Sequence, residues 1–451
     1  MEDAKQKQYI KLTQTPVPKL LVELSIPTVI SMLITSIYNM VDTAFVGRLG
    51  TSASGAVGVV FGFMAIIQAL SFMYGQGAGS IMSRLQGRQD MEGGSRVGSA
   101  GFFAAVFTGF ALMILGFIFI EPLVRVLGST DTIAPYAKTY ITYILIAAPA
   151  MMPTFVMNNL LRYEGRASLG MIGMLAGAIL NMVGDPILMF VFHMGIAGAG
   201  LSTCLSQIVS FCLLLSFFLR GKTQCRLSLK NSDLTPGSLF NICTTGLPSL
   251  IRQLLASAAT MVLNLEAAVY GDAAVAAMSI VSRVSLFIFS FALGIGQGFQ
   301  PICGFNYGAR KYARVREGFK CTVILAQTLV TVMAAVVFIF ANRVVGLFIE
   351  DPEVIVIAIR ALRLYCVCML FTPFGMVVEM LFQSSGHKTG ASILSSLRSG
   401  LFFIPILVIL AAVRGLAGIQ EAQPAAYVLS MIPSILMIIP FWRRMPDRDE
   451  D

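Results

Sequence analysis

Residues Val97–Ile120 read VGSAGFFAAVFTGFALMILGFIFI, a run of 24 residues without a charged side chain. A helix of about 20 apolar residues crosses the hydrocarbon core of a bilayer, so this run is long enough to span a membrane. The run is far longer than a barrel strand and does not alternate polar with apolar residues. It therefore predicts a membrane-spanning helix.

The rest of the chain has the same character. Of its 451 residues, 12% are charged and 56% are hydrophobic, whereas a soluble domain carries roughly 25% charged residues. So few charges cannot cover a water-exposed surface of this size. Residues 1–19 are polar and lead into the first span, so no cleavable signal peptide is expected. The sequence predicts an all-α integral membrane protein with twelve transmembrane helices, near residues 20–46, 54–82, 97–120, 134–161, 168–192, 196–219, 240–270, 273–302, 318–342, 356–382, 390–412 and 418–442.

The positions of the basic residues predict the topology. The net charge is +9, and the Lys and Arg side chains concentrate at both ends of the chain and on every second connection, for example Arg310–Lys320 and the tail residues Arg443, Arg444 and Arg448. The opposite connections hold few, namely Arg48, Arg125, Arg343 and Arg414. By the positive-inside rule both termini are cytoplasmic, which predicts a multi-pass protein of the cell inner (plasma) membrane. The positive charge is thus a topology signal, and no nucleic-acid partner is expected.

The chain contains an internal repeat. At an offset of 221 residues, Gly75-Gln76-Gly77 aligns with Gly296-Gln297-Gly298, and Gly165 aligns with Gly386. Each half then holds six spans, so the halves are parallel six-helix bundles related by a pseudo-two-fold axis along the membrane normal, with a substrate cavity between them. The glycine triplets are interpreted as packing or hinge positions. The predicted domains are an N-lobe at 1–219, a cytoplasmic linker at 220–239, a C-lobe at 240–442 and a cytoplasmic tail at 443–451.

Four carboxylates lie well within predicted spans, where an ionisable group costs roughly 2.5 to 3.5 kcal/mol and is a functional candidate. They are Asp42, Asp185, Glu266 and Glu379, two in each half. In the first half, Asp42 and Asp185 are predicted at a similar depth. The structural alternative is that they only hydrogen-bond neighbouring helices or cap a span near the interface.

Polar side chains accompany the first-half carboxylates. Tyr38 and Asp42 are four residues apart, as are Asn181 and Asp185, so each pair shares a helical face. Thr203 of span six is expected at a similar depth. Carboxylate, amide and hydroxyl oxygens at one depth suit a proton shared between acids, or a Na⁺ ion at Asp42 and Asp185. For Tyr38 taken alone, packing of an aromatic side chain at the membrane interface is the expected role.

The second half does not duplicate this arrangement. At the repeat offset Asp42 aligns with Leu263, and Glu379 aligns with Asn158. Glu266 directly precedes a predicted turn and could be a residue of the outer rim. Glu379 could form structural ion pairs or line a substrate cavity. The candidate cavity residues of this half are Glu379, Glu266, Arg252, Arg283 and Arg398.

Three stretches resemble signature segments of the multidrug and toxic compound extrusion (MATE) transporters, and the likeness extends from Ile26 to about Pro440. They are Tyr38–Gly50 (YNMVDTAFVGRLG), Leu180–Pro186 (LNMVGDP) and Gly195–Thr203 (GIAGAGLST). The segment Asn181–Pro186, together with the first-span Asp, is similar to the DinF-like branch. The resemblance implies that Asp42, Asn181, Asp185 and Thr203 form a cation-coupling site, with Tyr38 and Asn158 nearby.

The resemblance implies multidrug efflux, which underlies resistance to antibiotics and other xenobiotics. A secondary antiporter would export small, lipophilic cationic compounds in exchange for H⁺ or Na⁺ by alternating access. We expect a monomer with membrane lipid and a small organic substrate as partners, no cofactor and no resident metal, and no enzymatic activity, because metal and nucleotide motifs are missing from the sequence. The alternatives are a lipid-linked oligosaccharide flippase and an exporter of anionic or zwitterionic metabolites, which three arginines within spans would suit.

Overall fold

The structure is a computed structural model that describes residues 2–446 and 449, and the side chains of all of these except residues 2–5 and 39. The predicted cytoplasmic Arg448 and the end of the predicted tail lie outside the described residues. The described part of the chain is built from helices, turns and irregular connections and contains no strand. Its contacts divide it into unit 1, which comprises the residues up to Ile10 and Ile30–Leu250, and unit 2, which comprises Lys11–Val29 and the residues from Ile251 onward.

The helices alternate long spans with short connecting pieces. Those from the start of the chain to the middle are α1 (Glu2–Gln14), α2 (Val17–Gly47), α3 (Thr51–Gly87), α4 (Met91–Ile118), α5 (Ile120–Val126), α6 (Ala134–Tyr163), α7 (Ala167–Pro186) and α8 (Ile196–Leu219). Those that follow are α9 (Pro236–Ala268), α10 (Asp272–Gly308), α11 (Tyr312–Ile339), α12 (Ala341–Gly346), α13 (Pro352–Met369), α14 (Thr372–Ser385), α15 (Lys388–Ser396), α16 (Phe403–Arg414) and α17 (Leu416–Arg444).

The membrane-spanning prediction is confirmed. Eleven helices of the described chain are long and apolar enough to cross a bilayer, and a bent pair makes up to twelve. The tenth predicted span, 356–382, is bent, because α13 and α14 meet at an angle of 49°. The cause is Pro373, which lacks a backbone N–H and whose ring would clash with the carbonyl of Met369, where α13 ends.

Two spans widen into a π-helical turn. In the fifth span, Ile187–Val191 follows α7 directly after Asp185 and Pro186. In the eleventh, Leu397–Leu401 joins α15 to α16 and contains Arg398. Such turns are rare and occur frequently at functional sites. Both therefore place candidate site residues at irregular points of otherwise regular helices.

The glycine triplets of the repeat are packing positions. A Cβ atom on Gly77 of α3 would lie 2.1 Å from the carbonyl oxygen of Ile242 in α9. Its repeat partner Gly298 of α10 stands in the same relation to α2, where a Cβ would lie 2.4 Å from Ser25 Oγ. The first part of α9 therefore packs within unit 1, and the first part of α2 packs within unit 2. The predicted lobe boundaries at 219/220 and 239/240 stay a prediction.

The segment between α8 and α9 is held to unit 1 by one buried acid. Glu164, fully buried at the end of α6, accepts hydrogen bonds from the backbone N–H of Cys225 at 2.6 Å and of Gln224 at 3.1 Å. Its own carbonyl accepts from Gln8 Nε2 at 2.7 Å. Burial raises the pKa of Glu164 above its ordinary value, although these N–H donors act in the opposite direction. This predicted linker is thus an ordered part of unit 1.

Candidate functional site

A polar cluster lies inside the spans of unit 1. Asn181 and Asp185 lie one helical turn apart on α7, and Asp42 lies near the end of α2. All three side chains are buried, with Asp185 at 0% exposure, Asn181 at 2% and Asp42 at 5%. Among the described residues, neither acid forms an ion pair with a Lys, Arg or His side chain, so the two carboxylates have no basic counter-charge beside them.

Asn181 is the centre of this cluster. Its Nδ2 atom lies 3.1 Å from Asp185 Oδ1, 3.3 Å from Thr203 Oγ1 and 3.4 Å from Ser202 Oγ. Ser202 in turn donates to the Asn181 carbonyl at 3.3 Å. The side-chain amide therefore ties α7 to α8 and orients one oxygen of Asp185.

The two carboxylates of unit 1 meet. Asp42 and Asp185 are close enough to interact directly. Tyr38 is close enough to interact electrostatically with both carboxylates. Three buried acceptor oxygens have no hydrogen-bond partner, namely Asp42 Oδ1, Asp185 Oδ2 and Asn181 Oδ1. A cavity of about 30 Å³, room for a water molecule, borders Tyr38, Asn181 and Thr203. Acceptors without donors in a buried site can take a proton or a small cation.

Sequence reasoning missed two residues of this cluster. Tyr140 of α6 is 1% exposed, interacts with Thr203 and lies in the field of both carboxylates. Ser202 contacts Asn181 and Asp185. A hydroxyl within an apolar span was the available signal for Tyr140, but spacing along the chain could not show that α6 turns this face toward α7 and α8.

Asn158 is placed away from the cluster. Asn158 lies against Gly170 of α7. A Cβ atom added to Gly170 would be 2.8 Å from Asn158 Nδ2. Gly170 precedes Asn181 by eleven residues on α7, which corresponds to about 16 Å along the helix axis. The structure thus brings together Tyr38, Asp42, Asn181, Asp185 and Thr203 but not Asn158.

A second cluster lies inside unit 2. Glu379 of α14 is 1% exposed, and each of its oxygens meets a guanidinium. Arg252 Nη1 lies 2.8 Å from Oε1, and Arg398 Nη2 lies 2.7 Å from Oε2. Its carboxylate is therefore neutralised on both sides by arginines from α9 and from the π-helical turn.

These arginines line a cavity of about 340 Å³ within unit 2. Arg283 of α10 lines the same cavity and is exposed. The predicted candidates Arg252, Arg283 and Arg398 therefore come together here, beside Glu379. Glu266 lies near the end of α9 and is not among the cavity-lining residues. In the described chain, no group of three or more His, Cys, Asp or Glu side chains is placed to hold a metal ion.

Two helical halves with charged residues inside their spans define a class of membrane transporter, and comparison identifies the family. The family model MatE matches residues 27–187 and 248–409, and the chain belongs to the MATE family of multidrug and toxic compound extrusion transporters. The two matches begin 221 residues apart, which is the offset of the internal repeat. The chain is therefore a multi-pass membrane transporter and not an enzyme. Its assignment to the DinF-like branch stays a prediction.

Relatives cover nearly the whole chain. The multidrug export protein MepA of Staphylococcus aureus (strain MSSA476) is 27% identical over 435 residues, 96% of each chain. A solved MOP superfamily transporter from Pyrococcus furiosus Vc1 (DSM3638), described with a binding pocket of reverse polarity that suggests a different function, has a TM-score of 0.90 at 27% identity and covers 97% of this chain and 99% of that one. A multidrug resistance MATE family transporter in an outward-facing conformation also has a TM-score of 0.90 at 27% identity, over 96% and 98% of the chains.

Proposed function

We propose that this MATE transporter is an antiporter that exports small organic compounds in exchange for H⁺ or Na⁺, and that the coupling ion binds at Asp42 and Asp185. One observation carries the proposal: two buried carboxylates interact directly, while one oxygen of each has no hydrogen-bond partner. A buried acid pair that lacks a basic partner favours taking up positive charge.

The cluster supports either coupling ion. Two adjacent carboxylates in a low-dielectric site share a proton readily, because both cannot remain ionised at low cost. The free oxygens of Asp42, Asp185 and Asn181, with the Thr203 hydroxyl beside them, also supply the hard oxygen ligands that an alkali cation requires. Tyr38 and Tyr140 close the cluster. Asn158, away from it, retains only the role implied by family resemblance.

The relatives support export of foreign compounds, since MepA is named a multidrug export protein. Family membership leaves the sign of the substrate charge open, because the Pyrococcus furiosus relative is described with a pocket of reverse polarity. With Asp42 and Asp185 assigned to the coupling ion, the sign of the substrate charge depends on unit 2.

We also propose an inner-membrane location with cytoplasmic termini, a monomer in contact with lipid, alternating access, and no cofactor or nucleic-acid partner.

Reconstituted vesicles test the coupling. Purified protein would be placed in proteoliposomes, and efflux of cationic and anionic fluorescent dyes would be measured under a pH gradient alone and under a Na⁺ gradient alone. Wild-type protein should respond to one gradient or both. Asp42→Asn and Asp185→Asn should each abolish gradient-driven efflux, because each removes an acid whose charge must change or meet the ion.

Asp131→Asn is the matched control, since this side chain is 90% exposed. It should transport like wild type. The proposal would be wrong if Asp42→Asn and Asp185→Asn both retained gradient-driven efflux, or if neither gradient drove the wild-type protein.

A further inference from the structure

The unit 2 cavity carries positive charge. Its walls include Arg252, Arg283 and Arg398, and no acidic residue of the described chain lines it. Two of these arginines, Arg252 and Arg398, form ion pairs with Glu379. Three arginines against one carboxylate leave two formal positive charges. In a cleft with low-dielectric walls this charge attracts anions and repels cations.

The same walls present hydrogen-bond donors that have no partner. Arg398 is 8% exposed, and its Nη1 atom is buried without a hydrogen bond while Nη2 holds Glu379. Ser285 Oγ and Thr372 Oγ1 are likewise buried, unpartnered and part of the cavity lining. Buried polar groups are normally satisfied, and an exception calls for a ligand or a water. A guanidinium N–H beside hydroxyl groups suits an anionic oxygen.

The remaining wall is apolar and aromatic. Phe289 lies under the Arg398 guanidinium, 5.7 Å from ring centroid to Cζ. Tyr365 donates to Gln423 at 2.8 Å, and Gln423 donates to Tyr427 at 2.7 Å, so both phenol rings are held in place. All of these side chains line the cavity, whose volume of about 340 Å³ is within the usual size of a small-molecule site.

We infer that this cavity binds the anionic oxygen group of the exported compound, with Arg283 and the free N–H of Arg398 as donors and Phe289 against its apolar part. The substrates are therefore amphipathic anions or zwitterions carrying a carboxylate or phosphate, rather than lipophilic cations. This inference rests on the proposed function in taking the bound compound to be the one exported. Glu379 acts as a positioning residue that holds two arginines.

Equilibrium dialysis of the protein in lipid nanodiscs tests the inference without any ion gradient. The probes are 2-naphthoate, 2-naphthyl phosphate, neutral 2-naphthamide and cationic 2-naphthylmethylammonium, with binding to empty nanodiscs subtracted. One or both anionic probes should bind about tenfold or more tightly than the amide, since a charge-assisted hydrogen bond contributes that much. Which anion binds more tightly identifies carboxylate or phosphate as the preferred group.

Arg283→Gln should weaken binding of the preferred anion about tenfold. Its affinity for the neutral amide should stay within about twofold of the wild-type value. Ser285→Ala should weaken binding of the preferred anion a few-fold. Arg343→Gln is the matched control, because Arg343 lies on α12 and does not line the cavity. Thermal unfolding of each variant would verify folding.

Two results would overturn the inference: tighter binding of the cationic probe than of both anions, or anion binding that Arg283→Gln leaves unchanged. Neither result bears on ion coupling, which the vesicle assay measures separately. Conversely, a wild-type protein that binds the anionic probes but shows no gradient-driven efflux would contradict the proposed function. The anion site in unit 2 would still be supported.

Discussion

Arg398 Nη2 lies 2.7 Å from Glu379 Oε2, and this ion pair marks the difference between the two halves of the protein. Glu379 has both oxygens occupied by guanidinium groups, whereas Asp42 and Asp185 each keep one buried oxygen without a partner. Glu379 already has two basic partners, whereas the two adjacent acids of unit 1 have unpartnered oxygens that can accept a proton or a cation. The titratable element of the transport cycle is therefore expected in unit 1.

Replacing Glu379 by Gln should destabilise the protein without changing ion dependence. The substitution leaves two arginines without their buried counter-charge, which costs about 3 to 5 kcal/mol in comparable pairs. Chemical unfolding in detergent would measure the loss. Glu421→Gln is the control, because Glu421 pairs with exposed arginines and should cost about 1 kcal/mol or less. Normal stability with abolished ion dependence would place coupling in unit 2 instead.

The unit 1 cluster should respond to substitution in graded fashion. Asn181→Ala removes the donor shared by Asp185 and Thr203, so it should raise the half-maximal ion concentration for efflux about tenfold or more. Thr203→Ala and Tyr140→Phe each remove one hydroxyl and no charge, so they should raise it only a few-fold. Efflux titrated against pH and against Na⁺ provides the measurement. An effect of Thr203→Ala equal to that of Asn181→Ala would contradict the central place of the amide.

Alanine at the paired glycines should destabilise both units alike. A Cβ on Gly77 would meet the Ile242 carbonyl at 2.1 Å, and one on Gly298 would meet Ser25 Cα at 2.8 Å, so the backbones must separate. Overpacking of this kind costs about 1 to 3 kcal/mol. Gly58→Ala, on the same helix as Gly77 with open space around it, should be neutral or stabilising. Thermal unfolding midpoints of the three alanine variants provide the measurement. Equal midpoints in all three would contradict close packing at Gly77 and Gly298.

Stability should depend on pH through Glu164. Burial raises the pKa of this carboxyl above its ordinary value, so the folded protein holds a proton that the unfolded chain has already lost. The free energy of unfolding should therefore fall as the pH rises from the ordinary Glu range through the raised pKa. Glu164→Gln should flatten this dependence, and Glu350→Gln, at an exposed position, should leave it unchanged. An unaltered pH profile in Glu164→Gln would exclude this acid as the source.

Much of the architecture was predictable because the signals are local. Runs such as Val97–Ile120 predict spans from hydropathy alone, and the repeat offset of 221 recurs in the two family matches. The pairing of Asn181 with Asp185 follows from helical spacing. The bend between Met369 and Thr372 was missed, because a proline inside an apolar run kinks some helices and ends others.

The sequence by itself determined the number of spans, the repeat, the family and the presence of two acids in the first half, since each depends on composition or on spacing along one helix. Only the tertiary structure decided which side chains meet across helices. It brought Tyr140 to the acid pair, separated Asn158 from it, and gave both Arg252 and Arg398 to Glu379. Such contacts depend on the rotation and depth of each helix against its neighbours, which packing sets and linear spacing does not encode.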